Sequence, residues 1–195
     1  RVAVTDGMAK EAVKKLENAG CDVIQEFIEH DDLVNGALAE FDAVIVRSAT
    51  KLSEEMMQAG LPRLKVIARA GVGVDNIDVD AASRLGLPVV NAPRASTQSV
   101  VELTIGHLLG SLRFIPRADR SLRSGQWAKK ELKGTELFGK RLGLIGFGRI
   151  AQGVAKVAQA FGMEVHSYDP YLPLSVAKKV GVTMHKNVDN LFKTC

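Results

Sequence analysis

Cysteine is scarce in this sequence. Cys21 and Cys195 are the only two, and they form no CxxC pair, no metal-ligand spacing and no disulfide framework. No metal is therefore expected, and a reducing compartment such as the cytoplasm is the expected setting. Aromatic residues are also few, at 5% with a single Trp. None interleaves with basic residues as a base-stacking surface requires, so nucleic acid is not an expected partner. No apolar run approaches the ~18 residues of a membrane span, and no membrane partner is expected. No signal peptide precedes the first strand-like run. The chain opens inside that run at Arg1 and ends at Cys195 with no closing element, so it reads as a piece cut at both ends. Solenoid-period repeats and low-complexity tracts are missing as well.

What is present is an ordinary globular composition, 46% hydrophobic and 25% charged, enough for one or two domains with a real core. The net charge of +4 is spread over separate groups, Lys129-Lys130, Lys178-Lys179 and Arg113/Arg117/Arg120/Arg123. That distribution fits solvated faces plus an anion-binding cleft.

Apolar runs and helical periods alternate along the first half. Strands are predicted at 1–5, 22–25, 43–46, 64–68 and 88–90, with helices over 8–19, 32–40, 53–59 and 78–85 between them. Such alternation argues for a parallel sheet covered on both faces. Ser53 is expected to cap its helix, with Glu54 and Glu55 in the first turn. Next comes a long helix, for which Ser99 to Glu102 fits a capping box. Its stripe of Val101, Ile105, Leu108, Leu109 and Leu112 suits a core or an interface. A polar helix is predicted over 117–124, and 127–140 has no clear period.

The strongest motif is Arg141-Leu-Gly-Leu-Ile-Gly-Phe-Gly-Arg-Ile-Ala151. A strand runs into Gly146-Phe147-Gly148, and a helical period (Ile150, Val154, Val157, Phe161) starts at once. Gly146 suits a tight turn, Gly148 lets the backbone approach a pyrophosphate, and Ala151 keeps helix and strand close. Pyrophosphate would rest on N–H groups at the helix start. The fingerprint also requires an acid about 20 residues on. Asp169 stands there, ending a second strand over 164–168. Its competing role is to cap the segment after Pro170. Arg47, Gly71–Gly73 and Asn91–Pro93 also fall at strand ends, where ligands of such sheets bind, and these loops are expected to face one cleft. A guanidinium at Arg47 suits a carboxylate or phosphate. Gly71 and Gly73 bracket Val72 as an anion nest does.

Several segments together resemble the D-isomer-specific 2-hydroxyacid dehydrogenases: Arg47-Ser-Ala-Thr-Lys51, Arg69-Ala-Gly-Val-Gly-Val-Asp-Asn-Ile-Asp78, Asn91-Ala-Pro93, Val101-Glu-Leu103, Trp127 through Gly134-Thr-Glu-Leu137, Gly146–Gly153 and Tyr168-Asp-Pro170. The likeness runs the whole chain. It implies an α/β architecture: a flavodoxin-like parallel-sheet substrate domain (1–93) followed by the first half of a Rossmann NAD-binding domain (94–195). Within the latter, 97–140 would form dimerisation helices and an arm, giving a homodimer or higher homo-oligomer. Cofactor contacts fall on Val72, Gly146, Phe147, Gly148, Arg149, Ile150 and Asp169, with NAD as cofactor. Substrate contacts fall on Arg47, Ser48, Gly71, Val72 and Gly73. The implied substrate is a small phosphorylated 2-hydroxy acid, 3-phosphoglycerate first. Glyoxylate or hydroxypyruvate reduction stays open on the same scaffold, as does a non-catalytic NAD-sensing binder like the family's co-repressors. The family's catalytic Arg, Glu and His would all lie beyond Cys195, so no catalytic residue is assigned and the chain alone is expected to be inactive. His30, His107, His166 and His185 are expected to be surface or packing residues.

Overall fold

The computed structural model describes residues 1–195, which form two compact units, Arg1–Ser96 and Thr97–Cys195. No helix is long and apolar enough to cross a membrane.

In the first unit, β1 (Val2–Val4), α1 (Lys10–Asn18), β2 (Val23–Gln25), α2 (His30–Val34), β3 (Ala43–Val46), α3 (Glu54–Ala59), β4 (Val66–Arg69), α4 (Val79–Arg84) and β5 (Val89–Asn91) follow in order. The five strands are parallel and lie in the order β2-β1-β3-β4-β5. This is one of the two common doubly wound orders, with its switch point between β1 and β3. All three residues of β1 are buried, as expected of a strand covered on both faces. Val44, Val46 and Ile67 anchor a core with Leu33, Leu38, Leu52, Met56, Met57, Leu64 and Leu87. Each such side chain contributes about 1.5–3 kcal/mol by leaving water.

The single helix expected over 32–40 is in fact two short pieces. α2 ends at Val34, the chain turns through Gly36 with φ 91°, and a 3-10 turn spans Ala37–Glu40. A left-handed residue cannot continue a right-handed helix, and the turn is what sends Leu38 into the core. Ser53 caps α3 as anticipated, accepting the Met56 N–H.

The second unit comprises α5 (Thr97–Leu112), α6 (Ile115–Arg123), β6 (Arg141–Ile145), α7 (Arg149–Ala160), β7 (Glu164–Tyr168), α8 (Leu174–Lys179), β8 (Thr183–Met184) and α9 (Val188–Thr194). Its three strands are parallel, in the order β6-β7-β8. α5 begins before the expected capping box. Ser99 lies inside the helix, and Glu102 accepts from the Gln98 amide at 2.8 Å instead of reaching back to a cap. The apolar stripe of α5 faces the core: Val101 and Ile105 pack with Val154 of α7, and the half-buried Leu108 and Leu112 pack against the cluster that contains Phe147 and Ala158. The two helices approach closely because α7 offers Gly153 to Val101, where a Cβ would lie 2.6 Å from Val101 Cγ2. Trp127 and Phe138 are each 77% exposed, so neither is a core residue of this unit.

Candidate cofactor and anion sites

β6 delivers the chain into a turn at Gly146, whose φ of 84° a residue with a Cβ rarely adopts. Gly146 N–H donates to Tyr168 O at 2.7 Å, locking the turn to the end of β7. Gly148 then starts α7 without any side-chain cap. Nothing stands within 4 Å of where a Cβ would project at Gly146 or Gly148. An open cradle at an uncapped helix start is what an anionic diphosphate needs. Arg149 and Ile150 form the first turn beyond it.

Asp169 closes the arrangement from β7. One carboxylate oxygen accepts Phe147 N–H at 2.7 Å; the other accepts Tyr171 N–H at 2.8 Å and Leu172 N–H at 3.0 Å. The Phe147 amide, then that of Tyr171, hold its carboxyl below the usual carboxylate range, so it stays ionised at neutral pH. Asp169 therefore does cap the turn after Pro170, while also standing beside the glycine turn. Phe147 is committed to the protein. Its ring is fully buried, its N–H serves Asp169, and its carbonyl accepts from Gln152 at 2.9 Å. That leaves it the anchor of the turn, with no polar group to spare for a ligand.

In the first unit, β3 ends at Val46 beside Arg69, the last residue of β4. Arg47 and Arg69 therefore sit at neighbouring strand ends. Arg47 is exposed, and its guanidinium has no partner in the chain. Arg69 is a site residue that the motif alone does not single out, although it ends its strand and so lies level with Arg47. Its Nη2 donates to Ser48 Oγ at 3.0 Å and its Nη1 to Ala70 O at 3.3 Å, while Nε is buried without a partner. The side chain can lie this way only because residue 71 is glycine: a Cβ there would fall on Arg69 Nη1. Gly71 is less of an anion donor than the nest pattern suggests, since its N–H turns back onto Arg69 O at 2.8 Å. The successive amides of Val72 and Gly73 have no partner in the chain, so the nest reduces to those two. Asn91 braces the loop by donating to Val72 O at 2.7 Å.

The histidines hold one surprise. His166 Nδ1 and His185 Nε2 are 3.0 Å apart, a pair formed by the β7–β8 register that sequence spacing does not announce. No group of three or more His, Cys, Asp or Glu side chains is placed to hold a metal ion.

Comparison with known proteins places the chain among dehydrogenases and related reductases by sequence and fold. The chain is 46% identical over 193 residues to D-3-phosphoglycerate dehydrogenase of Methanocaldococcus jannaschii, covering 99% of this chain and 36% of that protein. It is 51% identical over 174 residues to hydroxypyruvate reductase of Thermotoga maritima, covering 89% of this chain and 56% of that one. The crystal structure of D-lactate dehydrogenase from Aquifex aeolicus, complexed with NAD and lactic acid, matches all of this chain and 58% of its own, with a TM-score of 0.84 at 28% identity. The chain thus spans between about a third and somewhat over half of the curated relatives it matches. Residues 2–194 match the family described as D-isomer specific 2-hydroxyacid dehydrogenase, catalytic domain, and the chain belongs to that family.

Proposed function

We propose that this chain supplies the substrate-anion site and the pyrophosphate site of an NAD-dependent D-2-hydroxyacid dehydrogenase. The observation that carries the proposal is the turn at Gly146–Gly148, open at an uncapped helix start and tied to an ionised Asp169. Gly146, Gly148, Arg149 and Ile150 would hold the pyrophosphate, with Phe147 as the buried anchor. Asp169 would accept from the adenosine ribose hydroxyls, and its charge disfavours a 2′-phosphate, which supports NAD over NADP. When bound, the nicotinamide supplies the hydride chemistry. The protein's own groups hold and orient. Arg47, Arg69 and Ser48, with the Val72 and Gly73 amides, would grip the hydroxy acid's carboxylate. Val72 offers a cofactor its backbone but no hydroxyl. No residue of this chain is assigned as proton donor or acceptor.

The substrate is read as a small D-2-hydroxy acid, of the glyoxylate or hydroxypyruvate reductase kind or another of the family. A phosphorylated one, 3-phosphoglycerate, is the second reading, which would make the whole protein a D-3-phosphoglycerate dehydrogenase. It is favoured by two guanidinium groups at adjoining strand ends, more cationic charge than one carboxylate requires. Exposed Leu103, Ile115, Leu122, Trp127 and Phe138 in the second unit support burial against another copy of the chain.

The test is steady-state kinetics of the full-length protein with NAD and each of D-glycerate, D-lactate and D-3-phosphoglycerate, repeated with Arg47→Lys. A lysine gives a point charge in place of a two-pronged fork. Losing one charged hydrogen bond should raise KM roughly 10- to 150-fold, with NAD affinity unchanged. Turnover with none of the three acids refutes the proposal. Unchanged KM in Arg47→Lys makes Arg47 a plain surface charge.

A further inference from the structure

The switch point of the first sheet, between β1 and β3, is where a doubly wound sheet ordinarily leaves a crevice for ligand. Here one carboxylate fills the junction. Asp6, just past β1, accepts from four groups. Its Oδ2 takes Arg47 N–H at 2.6 Å and Thr50 N–H at 3.1 Å. Its Oδ1 takes Thr50 Oγ1–H at 2.5 Å and Thr5 Oγ1–H at 3.3 Å. From the other side, Asn76 Nδ2 donates to Arg47 O at 2.8 Å and to Thr50 O at 2.7 Å. Both ends of the 47–50 loop are thus held at N–H and C=O alike, by two side chains distant in sequence. The Asn76 Oδ1 is buried with no partner, a cost to stability that a loop held only for its own sake would not require.

This wiring has a consequence for anion binding. The loop's N–H groups at Arg47 and Thr50 point at Asp6 and cannot serve a ligand. Recognition at this loop is left to the Arg47 and Ser48 side chains and to the Ser48 and Ala49 amides, which have no partner in the chain, and a negative charge sits behind a site meant for an anion. Such a charge is tolerable only if it is consumed in holding the loop. We propose that Asp6, assisted by Asn76, is the positioning residue of the anion site: it fixes the Arg47–Thr50 loop so that Arg47 and Ser48 present to the substrate's anionic group. Asp6 touches no substrate itself. The inference rests on the reading of Arg47 as a substrate contact given above.

Asparagine at this position is the informative variant. Its amide oxygen can still accept both backbone N–H groups. Its NH2 can donate to Thr50 Oγ1, whose own proton then turns to Thr5 Oγ1, 2.8 Å away. Asp6→Asn therefore keeps the geometry and removes the charge, whereas Asp6→Ala removes both. The experiment measures KM and kcat of the full-length protein for D-glycerate and D-3-phosphoglycerate, with NADH affinity by calorimetry, for Asp6→Ala, Asp6→Asn, Asn76→Ala and Arg47→Lys. Asp6→Ala is expected to raise KM ~10- to 100-fold, as loss of positioning does, with kcat and NADH affinity within about twofold of the unmodified protein. Asp6→Asn should restore KM to the unmodified value or below it. Should Asp6→Ala not fold, Asn76→Ala is read in the same way. An unchanged KM in Asp6→Ala beside a raised KM in Arg47→Lys overturns the positioning role and leaves the anion site standing. An unchanged KM in Arg47→Lys overturns the reading beneath it. An Asp6→Asn protein as impaired as Asp6→Ala, or equal losses in KM, kcat and NADH affinity, also overturns the proposal.

Discussion

Gly153 should change sign with its neighbour. In an isolated helix, Gly→Ala in the interior gains about 1 kcal/mol from propensity. At this position the added methyl would lie 2.6 Å from Val101 Cγ2 and 3.6 Å from Cγ1. Val101 is 3% exposed and sits within a helix, where a β-branched side chain has essentially one χ1 rotamer, so it cannot swing aside. α5 and α7 must separate instead, and overpacking of this kind costs about 1–3 kcal/mol. Gly153→Ala should therefore be neutral to ~2 kcal/mol destabilising. Val101→Ala removes two methyl groups, about 0.8 kcal/mol each in transfer terms, and leaves a space at the helix contact. In that background the new methyl enters the vacated space, and Gly153→Ala should stabilise by ~1 kcal/mol or more. The coupling between the two sites should be about 1–3 kcal/mol, well above that of independent positions. Urea unfolding followed by far-ultraviolet circular dichroism reports on the helices that carry both residues. The slope with denaturant must stay constant across the four proteins for the midpoints to be compared. Stabilisation of the same size in both backgrounds would falsify the close-packing argument. The same contact sets the position of α7, whose first turn is the proposed pyrophosphate seat, so Gly153→Ala should also weaken NAD binding in proportion to its cost.

Three further outcomes are expected. Gly71→Ala should push the Arg69 guanidinium off Ser48 at little cost to the fold, under about 1 kcal/mol, because only a flexible tip must move; KM for the hydroxy acid should rise on the order of tenfold while the unfolding midpoint holds, and a normal KM would exclude Arg69 from the site. NAD should bind the full-length protein more tightly than NADP, and Asp169→Asn, whose one amide oxygen cannot serve all three N–H groups that the carboxylate holds, should narrow that ratio and weaken NAD binding; calorimetry showing equal affinities for the two cofactors in the unmodified protein would contradict the role of Asp169. His166, its side chain 12% exposed, is held below its ordinary value near 6.5 by burial, then by His185 and Arg141, with Glu164 opposing. The unfolded chain then takes up the proton first, so stability should fall as pH drops from about 6.5 through the lowered folded value; unfolding midpoints between pH 8 and 5 should show this slope, and His166→Gln should flatten it.

Much of the first unit's architecture could be read from its sequence, because strands buried on both faces announce themselves as unbroken apolar runs such as Val2–Val4 and Ala43–Val46. The glycine turn was equally plain. Gly146 and Gly148 are demanded by local backbone geometry, and an acid at the next strand end follows from the same local unit. Short-range rules were weaker wherever packing competed with them: Gly36 split a helix that periodicity joined, and α5 began at Thr97, ahead of a capping box that residue spacing allowed.

What composition and periodicity could not supply were the contacts between residues remote in the chain. Asp6 to Arg47 and Thr50, Asn76 to both ends of the same loop, Arg69 across Gly71 to Ser48, and His166 to His185 all depend on strand order and register. Sequence named Arg47 as a cation at a strand end. Only the tertiary structure decided which of the surrounding N–H groups remain for a ligand, because hydrogen bonds are consumed by whichever partner the fold brings within 3 Å. For that reason Phe147 and Gly71, chosen for their place in a motif, turn out to have spent their amides on the protein, while Val72 and Gly73 keep theirs.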